Sequence, residues 1–66
     1  MKIYILYFRG QREYISSDLE DITTKYCIRD NADWFCAYQS MKNSLAEKGF
    51  WTSTFYYITE REYEAF

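Results

Sequence analysis

The chain opens on a stretch that is apolar on both faces. Ile3, Ile5 and Tyr7 alternate with Tyr4, Leu6 and Phe8, and a strand of that kind belongs in the middle of a sheet. Arg9-Gly10-Gln11-Arg12 follows. With glycine as the first of two central residues, the spacing predicts a type II′ turn at Gly10-Gln11. That turn would set Phe8 opposite Glu13, Tyr7 opposite Tyr14 and Leu6 opposite Ile15. The returning strand, residues 12–16, is short and polar, as an edge strand should be.

Ser17-Asp18-Leu19-Glu20 has the form of a capping box, serine at the cap and glutamate three residues on. It predicts a short helix over residues 18–25 with Leu19 and Ile22 inward. Thr23, Thr24 and the Tyr26-Cys27-Ile28 run are better strand formers, so residues 26–29 read as a connector. A longer helix then starts at Asp30 or Asn31. With Asp30 as cap, Asp33 falls in the first turn, where its charge opposes the helix dipole. Trp34, Tyr38, Met41 and Leu45 recur at helical spacing with Ala37 beside them, and Lys48-Gly49 is a stop signal. After Gly49, residues 50–59 are aromatic and β-branched and read as one strand. Residues 60–66 admit two readings. Thr59 with Glu62 makes another capping box and a short helix, or the strand continues with Glu60, Glu62 and Glu64 on one face. The helix formers Glu, Arg and Ala favour the first.

The fold expected is a single α+β domain over residues 1–66. It has a three-stranded antiparallel or mixed sheet, an N-terminal hairpin plus a C-terminal strand, with one long and one short helix on one face. The first strand is central, and the other sheet face is left uncovered.

Composition changes this picture in one respect. Aromatic residues make up 23% of the 66 residues: eight Tyr, five Phe and two Trp. One small helical layer cannot cover them all, and surplus Tyr and Trp at a surface are the residue types favoured at protein interfaces. Net charge is −2 with both signs interspersed, which argues against a dedicated nucleic-acid binder. There is no histidine, so the commonest general base and the Cys–His nucleophile pair are both missing. Gly10 and Gly49 are the only glycines, too few for a phosphate loop. Cys27 and Cys36 match no metal or redox spacing. An enzyme, a cofactor and a metal site are therefore not expected. The apolar start is too short for a membrane span and carries no cleavage site, so the expectation is a cytoplasmic protein with two free thiols and no membrane anchor.

In its size, acidity and aromatic content the chain resembles the small accessory proteins that bacteriophages and prophages use against host machinery. That resemblance is one of type and rests on no motif. It implies a protein-binding module or inhibitor that occupies a surface of a larger macromolecule, with a homodimer as the other way of covering the rings. The acidic tail is the expected contact segment, Glu60, Glu62 and Glu64 facing a basic partner site, Tyr63 and Phe66 anchoring, and Phe35 adding a second anchor from the helix flank. The alternative is a nucleic-acid-binding accessory protein that uses Arg9 and Arg12 with Tyr7, Phe8 and Tyr14 behind them. Lys25 and Arg29 would join that patch only if the segment carrying them folds under the hairpin.

Overall fold

In the computed structural model, which describes residues 1–62, six elements follow one another: β1 (Lys2–Phe8), β2 (Gln11–Ser16), α1 (Leu19–Asp30), α2 (Trp34–Lys48), β3 (Phe50–Thr52) and β4 (Tyr56–Glu62). The strands form one antiparallel sheet in the order β2-β1-β4-β3. Both helices pack on one face of it, around a core that joins Leu6, Ile22, Tyr26, Met41, Leu45, Trp51, Tyr56 and Ile58. The class and the central place of β1 are those the hydrophobic pattern predicts.

The sheet has four strands rather than three because residues 50–59 do not run straight. The chain reverses at residues 53–55, pairing Thr52 with Tyr57, and the Ser53 N–H donates to the Tyr56 carbonyl at 2.9 Å. Trp51 and Tyr56 are five residues apart, so one continuous strand would send them to opposite faces. The hairpin turns both toward the helices, where each is buried.

The N-terminal hairpin also departs from its expected register. Its turn residues are Arg9 and Gly10, both with positive φ (51° and 83°), as a type I′ turn requires. Phe8 therefore faces Gln11 and Tyr7 faces Arg12, and after an irregularity between Leu6 and Tyr7 the pairs become Leu6 with Tyr14 and Ile5 with Ile15. Tyr14 thereby turns to the helix side and Ile15 to the other. The Arg9 N–H donates to the Phe55 carbonyl at 2.8 Å, holding the left-handed residue against the neighbouring hairpin.

Helix α1 runs to Asp30, so the predicted connector at residues 26–29 is helical. Tyr26 is the reason: its ring meets Trp51 and Tyr56 edge-on, at 5.2 and 4.8 Å. Weak helix propensity costs at most about 0.7 kcal/mol per residue, and burying a large apolar side chain gains roughly 1.5–3 kcal/mol. The cap is Asp18, whose Oδ1 accepts from the Glu20 N–H, rather than Ser17. Asn31 closes the helix in the left-handed conformation. Asp30, as the last residue of α1, accepts from the Tyr26 hydroxyl at 3.0 Å. The cap of α2 is Asp33, which accepts from the Cys36 N–H at 2.9 Å. Gly49 ends α2 with φ 83° and its N–H on the Leu45 carbonyl.

The buried stripe of α2 is Ala37, Met41 and Leu45. Trp34 and Tyr38 stack on each other at 5.1 Å on its flank, and the Trp34 indole N–H donates to Thr24 of α1. β4 continues to Glu62, pairing Glu60 with Tyr4 and Glu62 with Lys2, so Thr59 starts no helix. Tyr63, Glu64 and Phe66 lie outside the described residues.

Two outcomes check this packing. Met41→Ala, at a fully buried site, should cost about 2–5 kcal/mol in urea unfolding, and Trp34→Ala clearly less. Equal losses would place Trp34 in the core. Tyr26 and Tyr4 both titrate above their ordinary value, chiefly because burial disfavours the phenolate, with Asp30 and Glu60 respectively adding to it. A raised pKa means the folded state holds the proton more tightly, so this stability is whole below pH about 10 and is lost as pH rises beyond it. Tyr26→Phe should make thermal stability less sensitive to pH between about 9 and 12; an unchanged profile would mean that the phenol is not desolvated in the fold.

Candidate interaction surfaces

Strand parity divides the side chains of the sheet between two faces. On β1, Tyr4, Leu6 and Phe8 join the core or pack against it, which leaves Ile3, Ile5 and Tyr7 on the opposite face. Pairing extends that face across all four strands in two rows. One row is Ile15, Ile5, Thr59 and Phe50, and the other is Arg12, Tyr7, Tyr57 and Thr52. Tyr57 joins the rows, with Tyr7 at 5.8 Å on one side and Phe50 stacked at 5.9 Å on the other. Ile15, Tyr57 and Phe50 are 45%, 40% and 37% exposed, and no element of the described residues covers them. At ordinary strand and residue spacings the two rows cover roughly 250–300 Å².

The edges of the sheet are less available than this face. β2 carries Arg12, Glu13 and the bulge, devices that discourage strand addition. β3 is three residues long, and Ser44 of α2 donates to its Phe50 carbonyl at 2.8 Å.

A second surface forms where the β1–β2 turn meets the end of α1. The Arg9 guanidinium lies over Phe55 at 4.6 Å and near Phe8 at 5.5 Å. Arg29 lies over Phe8 at 4.2 Å and pairs with Glu13 at 3.0 Å. Lys25, one turn earlier on α1, sits over Tyr14 at 4.9 Å. A cleft of about 260 Å³ opens between Leu6, Glu13, Tyr14, Lys25 and Arg29. Because α1 continues past Lys25, both of its cations do reach the hairpin.

Among the described residues, those singled out in the sequence do not form one site. Tyr7 and Arg12 are on the open face, Tyr14 is on the helix side, and Arg9 is at the turn between them. Glu60 and Glu62 share the helix-side face of β4 with Tyr4 and Lys2. Glu60 is half-buried and pairs with Lys2 at 3.5 Å, beside a cleft of about 390 Å³ lined by Tyr4, Leu19, Lys42 and Leu45. Phe35 is exposed in the first turn of α2, ten residues or about 15 Å along that helix from Leu45. Phe50, Tyr57 and Phe55 went unassigned in the sequence, since their faces depend on the hairpin at residues 53–55.

Cys27 and Cys36 are free thiols. Burial pushes Cys27 up from its ordinary pKa, with Asp33 and Asp30 adding to it, and the hydrogen bond with Asp33 pushes Cys36 up. Both shifts favour the thiol over the reactive thiolate. Among the described residues no group of three or more His, Cys, Asp or Glu side chains comes together to hold a metal, and no helix is long and apolar enough to cross a membrane.

No protein-family model, curated protein or solved structure matches the chain.

The open face supports the fold little. Phe50→Ala and Tyr57→Ala should each change unfolding free energy by no more than about 1 kcal/mol, as half-exposed positions without a core role. Urea unfolding checks this, and losses on the scale of a core truncation would make these rings structural.

Proposed function

We propose that this protein is a small protein-binding module that acts by occupying a surface of a larger protein with the open face of its sheet. One observation carries the reading: the Tyr57 ring meets Tyr7 on one side and Phe50 on the other, on a sheet face that the described residues leave uncovered. Tyr and Phe presented from strands are rigid anchors with little side-chain entropy to lose, the residue types enriched in the centres of interfaces. The blunted edges direct recognition to the face rather than to strand addition.

The size of the face bears on the partner. Two copies joined through patches of roughly 250–300 Å² would bury far less than the roughly 800 Å² per partner of a stable interface. Any partner, a larger protein or a second copy, must therefore continue past the rows onto the flanking polar residues. The carboxylates of Glu60 and Glu62 lie on the other side of the sheet and serve as steering charge rather than anchors. Inhibition follows from occupancy: a surface covered by this domain is closed to its ordinary ligand.

The test is affinity capture from the source cell with mass spectrometry, using the wild-type protein, Tyr57→Asp and Lys25→Gln. The expected result is one protein retained in stoichiometric amount by wild type and Lys25→Gln, lost with Tyr57→Asp, and little affected by salt. Retention by Tyr57→Asp equal to wild type would show that the open face is not the contact.

A further inference from the structure

We infer that the surface at the β1–β2 turn and the end of α1 is a second binding site, for single-stranded nucleic acid held through its backbone without sequence preference. Although the chain is acidic overall, three of its eight cations, Arg9, Lys25 and Arg29, lie on the β1–β2 turn or on the α1 residues packed beside the hairpin. The capping carboxylates Asp18, Glu20 and Asp21 are at the other end of α1. Glu13 pairs with Arg29, so a phosphate reaching that guanidinium displaces this carboxylate, and Asp30 accepts from the neutral Tyr26 hydroxyl and keeps its charge.

The arrangement of those cations selects the ligand. Each of three is set on a ring: Arg9 on Phe55, Arg29 on Phe8 and Lys25 on Tyr14. An acidic protein segment needs only the charges. A nucleotide strand needs charge and stacking surface in alternation, phosphates on the cations and bases on rings and guanidinium planes. Phe55, at the tip of the β3–β4 hairpin, is 49% exposed and is the ring best placed to take a base. Lys25 and Arg29 are one helical turn apart, about 6 Å along the axis, with Arg9 continuing the line across Phe8. The open ring face is separate, so the strand and the protein partner can be held together.

The test is fluorescence anisotropy with a labelled oligothymidylate, an abasic phosphodiester strand of the same length, duplex DNA and polyglutamate. Three phosphate contacts predict a slope of log affinity on log salt of about −2, hence a loss of about twentyfold between about 50 and 200 mM salt. Lys25→Gln should make that slope shallower by about 0.7. Phe55→Ala should weaken the oligothymidylate about tenfold and leave the abasic strand unchanged. Tyr57→Ala should bind as wild type, which keeps this site distinct from the open face. The inference is overturned if the oligothymidylate shows no binding at low salt, if polyglutamate or duplex binds as tightly, or if Lys25→Gln leaves both affinity and slope unchanged.

Discussion

The edge-to-face cluster of Tyr26, Trp51 and Tyr56 is the contact on which the remaining structure depends. Its three rings come from α1, β3 and β4, and Phe8 of β1 adds a fourth at 5.1 Å from Tyr56. Trp51 reaches α2 as well, through its indole N–H on Ser40 at 3.1 Å. Burying these rings together requires α1 to continue one turn beyond Lys25 and the chain to reverse between Trp51 and Tyr56. Both requirements run against local preference, and both are met. In a domain of this size, few contacts are available to fix the relative placement of so many elements, and rings with polar tips do so by area and direction at once.

What could be read from the sequence divides along that line. The central strand, the α2 stop at Gly49 and the helical stripe through Met41 and Leu45 rest on local pattern, and local pattern settled them. The reversal at residues 53–55 has no glycine or proline to announce it, only Ser53 and Thr54 between rings. The hairpin register turned on which of two adjacent dipeptides formed the turn. Arg9 in the left-handed region is an uncommon choice, held by a hydrogen bond from the other hairpin that no local rule contains. Strand parity then carried the difference into the surfaces: with the register shifted, Tyr14 and Ile15 exchanged faces, and Tyr7 and Tyr14 separated. The open face was foreseeable as a surplus of rings, but its members were not, because membership depends on pairing between distant strands.

Acidity and aromatic content, which looked like two properties of one chain, are distributed differently in space. Rings occupy both sides of the sheet, and only the helix side can cover them. Three of the eight cations, Arg9, Lys25 and Arg29, gather between the β1–β2 turn and the end of α1, and the capping acids gather where their charge supports the helix starts. A formal charge of −2 therefore describes the whole and none of its parts. Local fields at a surface follow the nearest few side chains within a Debye length of about 8 Å at physiological salt, not the sum over the molecule.

The place of β1 between β2 and β4 has a consequence for how the chain reaches this state. The β1–β2 hairpin closes over a turn of two residues, but the other side of β1 waits for residues 56–62, beyond two helices. Closing that span requires the loop entropy to be overcome before the contacts form, which slows folding relative to a helical protein of equal length. During synthesis, β1 is a free apolar edge from the time it emerges until β4 follows. In that interval Lys2, Arg9 and Arg12, at the ends and margin of the young hairpin, are the charges at hand to keep two nascent copies from pairing edge to edge.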